Sequence, residues 1–363
     1  MAKLDVYFKA MRDRGASDLH MSVGAPPMIR QHGDMTKLTD RPLTPSDNAQ
    51  LLMEIMNEHQ QDKFKKSRDL DFAYQLEDAR FRCNVFMDRM GMGGVFRIIP
   101  AKILTAEQLG LPDAVLRFCS FKKGLVLVTG ATGSGKSTTL AALIDYLNAH
   151  RDEHILTVED PIEFVHPNKK CLINQREVGT HTMTFSSALR AALREDPDII
   201  LVGEMRDLET IELAITAAET GHLVFGTLHT SSAAKTIDRI INVFPTNQQE
   251  QIRTMLSESL RGVIAQNLLK TADGKGRVAA IEILITNPAT NNLIREGKTF
   301  QIPSIIQTGK KDGMQTMDQA LMDLVKSKKV AAAEAHAYAS EKKQFEALLS
   351  PQERQQLATS GVL

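Results

Sequence analysis

The stretch Gly124-Leu-Val-Leu-Val-Thr-Gly130-Ala-Thr-Gly133-Ser-Gly135-Lys136-Ser137-Thr138 decides how this chain folds. Residues 130–137 match the complete pattern G-x-x-x-x-G-K-[ST]. Residues 125–128 before it form an unbroken apolar run, which is typical of a buried parallel strand. Residues 139–148 after it have apolar positions at helical spacing and contain neither Pro nor Gly. Strand, glycine loop and helix together predict a P-loop that binds a nucleoside triphosphate.

The residues of this loop are expected to divide the contacts with the triphosphate among them. Backbone N–H groups of the loop and the helix N-terminus would surround the phosphates. We expect Lys136 to reach the outer phosphates and Ser137 to offer its hydroxyl to Mg²⁺, so both are predicted catalytic or metal-side groups. The predicted nucleotide-binding residues of the loop are Gly130, Thr132, Gly133, Ser134, Gly135, Lys136, Ser137 and Thr138.

Composition limits the classes of protein to which the chain can belong. Its 363 residues are enough for two domains, since a domain holds roughly 100–200 residues. Lys and Arg number 44 and so do Asp and Glu, so no overall charge recruits nucleic acid or anionic lipid. The three cysteines, Cys83, Cys119 and Cys171, lie far apart and predict neither a zinc ribbon nor a disulfide framework. No apolar run approaches the roughly 20 residues that span a bilayer. We expect a cytoplasmic protein without direct membrane insertion.

Two patterns predict two domains. Alternation of apolar and charged residues over 69–99 indicates an antiparallel sheet within a small α+β domain that has no nucleotide site of its own. Beyond it, buried strands alternate with helices, which predicts a mostly parallel sheet and an α/β fold. The predicted divisions are a first domain at 1–100, a linker at 101–112, an ATPase core at 113–288 and a helical C-terminal region at 289–363.

One long helix is predicted in the second half of the core. Residues 246–249 have the form of a capping box. Ile252, Leu256, Leu260 and Ile264 then recur at four-residue spacing, which favours a helix that runs through Ile264.

Carboxylates and histidines follow the apolar strands of the core. The carboxyl ends of parallel strands meet at one edge of a sheet, so these residues are expected to form one site. They are Glu159, Asp160 and Glu163 after the strand 155–158, Glu204 after 199–202, and His229 after 223–227.

Each of these side chains has an expected role. Gly203 stands where many P-loop enzymes carry Asp, so Glu204 is predicted as the metal-side carboxylate, acting through water. Glu163 is predicted to activate the attacking water, and His229 to sense the γ-phosphate. His222 lies at the other end of the same strand, too far from His229 to share a metal at about 3.3 Å per residue. Spacing alone therefore favours a structural role for His222.

Arginines of the first domain are candidates for stabilising a phosphoryl transition state. Arg82 and Arg97 occupy strand positions close to the linker, which makes them the stronger candidates for reaching a nucleotide. The alternative for any single arginine is surface solvation or an ion pair.

With these residues in place, the chain resembles the PilT-type retraction ATPases of type IV pili, within the secretion-ATPase superfamily. The resemblance implies a RecA-like P-loop ATPase domain with an N-terminal α+β PAS-like domain and a helical C-terminal tail. It identifies Glu159 and Asp160 as Asp-box residues and supports a functional role for His222. The matching segments are 16–20 and 26–30 (PAS-like domain), 130–138 (Walker A), 158–163 (Asp box), 198–207 (Walker B), 220–230 (His box) and 313–321 (C-terminal region).

The family implies a homohexameric ring that binds ATP and Mg²⁺ at subunit interfaces, where N-terminal arginines approach the phosphates. Hydrolysis would drive an inner-membrane platform protein and return pilins to the membrane, which implies a peripheral position at the pilus base. One departure stands out. The family element Ala-Ile-Arg-Asn-Leu-Ile-Arg-Glu, tied to retraction, reads Ala289-Thr290-Asn291-Asn-Leu-Ile-Arg-Glu296 here.

Four alternatives stay open at this point. An accessory retraction ATPase, or an extension or secretion ATPase, would share the motor core; the latter usually carries a four-cysteine zinc motif, which three scattered cysteines do not supply. A RecA-like nucleic-acid motor should show aromatic stacking platforms, yet the chain has no Trp and only 4 Tyr. A nucleotide-regulated protein that does not hydrolyse ATP would be distinguished by its lack of turnover.

Overall fold

The chain forms two compact units in a computed structural model that describes residues 2–31, 34–76, 79–99 and 102–359. The first unit comprises Met1–Lys102 together with the short segment Pro161–Val165, and the second comprises Ile103–Asp160 and His166–Leu363. Within the described residues, no helix has the length and apolar character needed to cross a membrane.

The first unit contains one antiparallel sheet of six strands in the order β3-β2-β1-β6-β5-β4, with three helices. Its elements are α1 (Asp5–Asp13), β1 (Asp18–Met21), β2 (Met28–Gln31), β3 (Asp34–Lys37), α2 (Pro45–Glu54), α3 (Glu58–Ser67), β4 (Asp69–Leu76), β5 (Ala79–Asp88) and β6 (Gly91–Ile99).

An aromatic cluster holds the first helix on this sheet. Phe8 of α1 stacks on Phe81 of β5 with 4.3 Å between ring centroids and meets Phe96 of β6 edge-on at 5.2 Å. All three side chains are fully buried. Because side chains alternate along a strand, the residues next to Phe81 and Phe96 belong to the opposite face of the sheet. The arginines predicted for nucleotide binding therefore lie away from this core.

The second unit contains a sheet of seven strands in the order β13-β12-β7-β11-β10-β8-β9, parallel except for the β12–β13 pair. Its strands are β7 (Gly124–Thr129), β8 (His154–Glu159), β9 (Leu172–Glu177), β10 (Ile199–Val202), β11 (Leu223–Leu228), β12 (Leu260–Lys270) and β13 (Arg277–Ile285). Its helices are α4 (Asp113–Leu116), α5 (Lys136–His150), α6 (Phe185–Ala192), α7 (Leu208–Glu219), α8 (Ala233–Val243), α9 (Gln249–Ser259), α10 (Pro288–Arg295), α11 (Ile302–Thr308), α12 (Met317–Lys326), α13 (Ala332–Tyr338), α14 (Lys342–Glu346) and α15 (Pro351–Thr359).

The long helix predicted through Ile264 is wrong from Leu260 onward. Helix α9 ends at Ser259, and β12 begins at the next residue. This strand pairs with β7 on one side and with β13 on the other. Side chains on both of its faces are buried: Val263, Ile264 and Ala265 have no exposed surface. A strand buried on both faces satisfies a four-residue apolar spacing as well as a helix does, so periodicity cannot distinguish the two.

A buried histidine predicts how the stability of this protein depends on pH. Burial lowers the pKa of His166 from 6.5 to about 4. Between pH 6.5 and about pH 4, His166 is protonated in the unfolded chain but remains neutral in the folded chain. Stability is therefore fully present above about pH 6.5 and is lost on acidification, by about 1.4 kcal/mol per pH unit. We expect urea unfolding of the wild type to show this loss between pH 7 and pH 5, and His166→Gln to show less of it.

The matched control for this prediction is His59→Gln, which replaces an exposed histidine. It should retain the pH dependence of the wild type. An unchanged pH dependence in His166→Gln would contradict the assignment of the loss to His166.

Candidate nucleotide site

The P-loop joins the end of β7 to the start of α5 through three glycines in unusual backbone conformations. Gly130, Gly133 and Gly135 have φ angles of 146°, 78° and 89°, a region that side chains disfavour. At Gly130 space is limiting as well, because an added Cβ would lie 2.3 Å from the carbonyl oxygen of Gln266. The loop leads directly into the first turn of α5, where unpaired backbone N–H groups can bind an anion.

Lys136, the first residue of α5, turns back over the loop that precedes it. Its Nζ donates hydrogen bonds to the carbonyl oxygens of Gly130 at 2.9 Å and Ala131 at 3.0 Å. The two residues after it, Ser137 and Thr138, are half-buried in the same turn of helix. The loop therefore holds the ammonium group of Lys136 near the N-terminus of α5, where the phosphate oxygens of a bound nucleotide would contact it.

A glutamine of β12, the strand next to β7, forms hydrogen bonds with both the P-loop and helix α5. Gln266 of β12 is 2% exposed. Its Nε2 donates to the carbonyl oxygen of Ser134 at 2.6 Å, and its Oε1 accepts from Thr139 Oγ1 at 2.9 Å. One side-chain amide thus joins the last turn of the P-loop to the first turn of α5.

Register places the other predicted residues of the core at the same edge of the sheet. Thr129, the last residue of β7, pairs with Leu228 at the end of β11. Val202 at the end of β10 pairs with Gly226 of β11 on one side and with Val158 of β8 on the other. The P-loop, His229 and Glu204, which follow these strands, therefore lie at one edge of the sheet together with Glu159, the last residue of β8.

Glu204 is the centre of an ion-pair cluster at this edge. Arg206 forms a two-pronged contact with it, through Nε to Oε1 at 2.5 Å and Nη2 to Oε2 at 2.6 Å. His229 Nε2 lies 3.0 Å from Oε1. Burial raises the pKa of Glu204, but Arg206, His229 and Lys136 together outweigh it and hold the pKa below its usual value. The carboxylate is ionised at neutral pH and is in contact with the ring of His229.

The close approach of the neighbouring strand β8 explains why position 203 is a glycine. Its N–H donates to the carbonyl oxygen of Val158 at 2.8 Å, which draws it against the neighbouring strand β8. A Cβ there would lie 3.1 Å from both the Glu159 Cα and that carbonyl oxygen. A side chain at this position would therefore require these backbone atoms of β8 to shift by a few tenths of an ångström. With glycine at 203, Glu204 is the acidic group that follows β10.

The Asp-box residues divide between the two units. Glu159 accepts hydrogen bonds from Thr157 Oγ1 at 2.7 Å and from Gln175 Nε2 at 3.2 Å within the second unit. Asp160 is exposed, and its charge contributes to raising the pKa of Arg206. Glu163 is half-buried and lies in the segment Pro161–Val165, which groups with the first unit.

A strand arginine of the first unit holds the segment that carries Glu163. Arg80 Nε donates to the carbonyl oxygen of Ile162 at 3.2 Å, and Ile162 is 5% exposed. The backbone next to Glu163 is thus attached to β5, and the predicted water-activating carboxylate is built on the first unit.

His222 lies at the opposite edge of the sheet from the P-loop. It precedes β11, and its Nδ1 lies 2.9 Å from the carbonyl oxygen of Ala217 near the end of α7. Its own carbonyl oxygen accepts from the N–H of Gly124 at the start of β7. Within one chain, this histidine therefore closes the helix-to-strand connection and is not part of the group around Glu204.

Arg82 and Arg97 lie directly opposite each other on β5 and β6 of the first unit. Arg82 pairs loosely with Asp71, at 3.9 Å between half-exposed side chains. Arg97 donates from Nε to Asp18 Oδ1 at 2.7 Å, while 70% of its side chain remains exposed. Both arginines therefore present guanidinium groups on the face of the sheet opposite the aromatic core.

Comparison with known proteins assigns the chain to a family. The family model described as type II/IV secretion system protein matches residues 4–359, almost the whole chain. The chain belongs to this family.

Relatives in this family carry names that match the features of the site. The chain is 59% identical over 313 residues to the type IV pilus retraction ATPase PilT of Pseudomonas aeruginosa, covering 86% of this chain and 91% of that protein. It is 40% identical over 332 residues to the type IV pilus ATPase PilU of the same organism, covering 91% and 87%. A crystal structure of the pilus retraction motor PilT with bound ADP shares 49% identity and a TM-score of 0.88, covering 95% of this chain and 99% of that one.

These matches confirm the predicted family resemblance and the predicted fold class, an α/β fold of the secretion-ATPase type. As a type II/IV secretion system protein of this kind, the chain binds nucleotide and is an ATPase.

Gln266 contacts the P-loop but was not predicted as a site residue, because the sequence analysis did not predict the strand β12 that carries it. Gln266→Ala removes both hydrogen bonds of the amide and leaves the buried Ser134 carbonyl and Thr139 hydroxyl unsatisfied, a cost of about 1–3 kcal/mol per group. We expect the loop to lose its alignment with α5 and ATP affinity to fall about tenfold. Calorimetric titration with a non-hydrolysable ATP analogue measures this effect.

The control for this measurement is Gln251→Ala, at an exposed glutamine of α9. It should bind the analogue like the wild type. Wild-type affinity in Gln266→Ala would show that the amide does not align the loop.

Proposed function

We propose that this chain is the ATP-hydrolysing motor that powers type IV pilus retraction and hence twitching motility. The observation that carries the proposal is the joint presence of a complete P-loop site and 59% identity over most of the chain to a pilus retraction ATPase. An ionised carboxylate, Glu204, and a histidine bound to it, His229, stand at the strand ends beside the loop. These are the groups that phosphoryl transfer needs besides the phosphate-binding loop.

Mg²⁺ is the metal that the donors at this site fit. Ser137 supplies a hydroxyl in the first turn of α5, and Glu204 supplies an ionised carboxylate held in place by Arg206. Hard oxygen donors of this kind, few in number and supplemented by water and phosphate, suit Mg²⁺. When bound with ATP, the ion would neutralise charge on the phosphates. Glu204 would hold it through water, and Lys136 would bind the outer phosphates.

Hydrolysis itself needs a group that activates water and groups that stabilise the developing charge. We assign the first role to Glu163 and the sensing of the γ-phosphate to His229. Arg82 and Arg97 are the arginines that would approach the phosphates. The family motifs give Glu159 and Asp160 supporting roles beside these groups. They also imply a functional role for His222, which lies at the opposite edge of the sheet and would act apart from Glu204.

The working assembly proposed here is a homohexamer at the cytoplasmic side of the inner membrane. It would act on the pilus platform protein, and through it on pilins, by moving its domains as ATP is hydrolysed. Supporting this picture, the chain matches a pilus retraction motor over 95% of its length.

An accessory retraction ATPase is the second candidate, and position 291 favours it. The chain carries Asn291 where the family element has arginine, and the Oδ1 atom of Asn291 is buried without a hydrogen-bond partner among the described residues. Thr290, which replaces the family's isoleucine, is fully buried and caps α10 through Asn287. Helix α10 is thus intact while its first arginine is absent.

The test is retraction of fluorescently labelled pili in a retraction-null host that expresses this chain. A Lys136→Ala copy serves as the inactive control, and an Asn291→Arg copy restores the family residue. Restored, Lys136-dependent retraction is expected. A protein that hydrolyses ATP but retracts pili only as Asn291→Arg, or only beside a second motor, would establish the accessory role instead.

A further inference from the structure

A row of charged side chains crosses the sheet of the first unit from strand to strand. Arg30 of β2 pairs with Asp18 of β1, Asp18 pairs with Arg97 of β6, and Arg97 pairs with Arg82 of β5. Residues directly opposite each other in an antiparallel sheet share one face. The flanking residues Leu19 and Phe96 are fully buried on the other face. The charged row therefore lies on the face directed away from the aromatic core.

Two neighbours in this row repel each other. Arg97 and Arg82 are directly opposite, and like charges in that arrangement destabilise a sheet. The contact between Arg82 and Asp71, at 3.9 Å between half-exposed groups, compensates little of this repulsion. The buried carboxylate of Asp18, 2.7 Å from Arg97 Nε, offsets part of this repulsion. The two guanidinium groups thus concentrate positive charge on one face of the sheet, which attracts anions.

Asp18 is the carboxylate in this row, and it lies between Arg30 and Arg97. It is 4% exposed and accepts hydrogen bonds from Ser17 Oγ at 2.7 Å and from Arg97 Nε at 2.7 Å. Burial raises the pKa of Asp18, but Ser17, Arg97 and His20 outweigh it and hold the pKa below its usual value. The buried group is therefore a fixed negative charge at neutral pH.

The bond to Asp18 uses one particular donor of Arg97. A guanidinium has five N–H donors in a rigid fork, and Nε supplies one of them. With Nε bound to a buried partner, the plane of the fork is set. Among the described residues no hydrogen bond uses its four Nη donors, which belong to a side chain that is 70% exposed. A planar fork with its Nη edge free is the geometry that binds phosphate oxygens in pairs.

We propose that Asp18 is a positioning residue, which orients the Arg97 guanidinium so that its Nη donors meet a phosphate group of ATP. The inference rests on the proposed function, in which Arg97 approaches the nucleotide. It assigns a role to the Ser17-Asp18 pair, which lies far along the chain from every nucleotide motif of the core.

The test compares Asp18→Asn with Asp71→Asn in the assembled full-length ATPase. Asp18→Asn keeps the size of the side chain but removes its charge, so Arg97 loses its fixed orientation, and kcat/KM for ATP should fall about tenfold. Asp71→Asn neutralises a carboxylate on the same face that holds its arginine only loosely, so kcat/KM should stay within about twofold of the wild type.

A double-mutant cycle separates positioning from simple stabilisation of the sheet. Arg97→Lys removes the fork, so adding Asp18→Asn to it should cost no further activity. If the two losses multiply, Asp18 acts independently of Arg97 and the proposal is wrong. Wild-type kcat/KM in Asp18→Asn, or a loss that follows the melting temperature alone, also overturns it.

The same experiment keeps this inference distinct from the proposed function. If the wild type hydrolyses ATP and Arg97→Lys does so equally well, the role of Arg97 and with it that of Asp18 are refuted while the motor assignment stands. If the wild type shows no turnover above Lys136→Ala, the proposed function itself fails.

Discussion

Replacing Lys136 by alanine is expected to abolish ATP turnover and to weaken ATP binding by about a hundredfold. The variant loses the one cation that the P-loop positions at the start of α5, and with it the hydrogen bonds to the Gly130 and Ala131 carbonyl oxygens. Charge-assisted hydrogen bonds to phosphate are among the stronger polar contacts, so binding suffers as well as catalysis. Equilibrium titration with a fluorescent ATP analogue and a phosphate-release assay measure the two losses separately.

A second lysine of the same unit provides the control. Lys169 forms an ion pair with Asp145 at 2.7 Å on a partly exposed surface, so Lys169→Ala removes a comparable charge elsewhere. It should bind and hydrolyse ATP like the wild type. Unchanged ATP affinity in Lys136→Ala would refute the assignment of the P-loop as the nucleotide site.

Glu163→Gln is expected to bind ATP normally and to hydrolyse it about a hundredfold to ten-thousandfold more slowly. The substitution removes a base without changing size, and the phosphate-binding loop belongs to the other compact unit of the chain. The backbone beside Glu163 stays attached to β5 through Arg80 and Ile162, so the variant side chain should keep its place. Single-turnover kinetics with saturating ATP isolate the chemical step from binding.

Glu209→Gln is the matched substitution at a surface glutamate. Glu209 forms an ion pair with Arg190 between exposed side chains, and its replacement should leave the single-turnover rate unchanged. Wild-type hydrolysis by Glu163→Gln would remove this residue from the mechanism and direct attention to Glu204, whose ionised carboxylate is the alternative base beside the P-loop.

Sequence and structure agree best where function depends on consecutive residues. The P-loop was predicted from the order of its glycines, and the structure shows the positive φ angles that make those glycines necessary. Gly203, noted as a departure from the usual aspartate, has a steric explanation that only the neighbouring strand supplies. The same is true of Glu204, whose partner His229 follows a different strand.

Leu260–Lys270 forms a strand, although the four-residue spacing predicts that the preceding helix continues through Ile264. Leu260 and Ile264 fit a helical period, but the β-branched Val263 and Ile264 beside Gly262 were the signal for a strand. Because the strand was missed, so was Gln266, whose amide reaches the P-loop.

The sequence by itself determined the class of fold, the family and the nucleotide loop of this protein, because each depends on local patterns: apolar runs, glycine positions and contiguous motifs. Only the tertiary structure decided which distant side chains complete the site. Gln266 reaches the loop residue Ser134 across 132 positions, and Asp18 reaches Arg97 across 79. The physical reason is that neighbours in a sheet are set by strand order and register, which arise from packing of the whole chain and leave no periodic trace in any single segment.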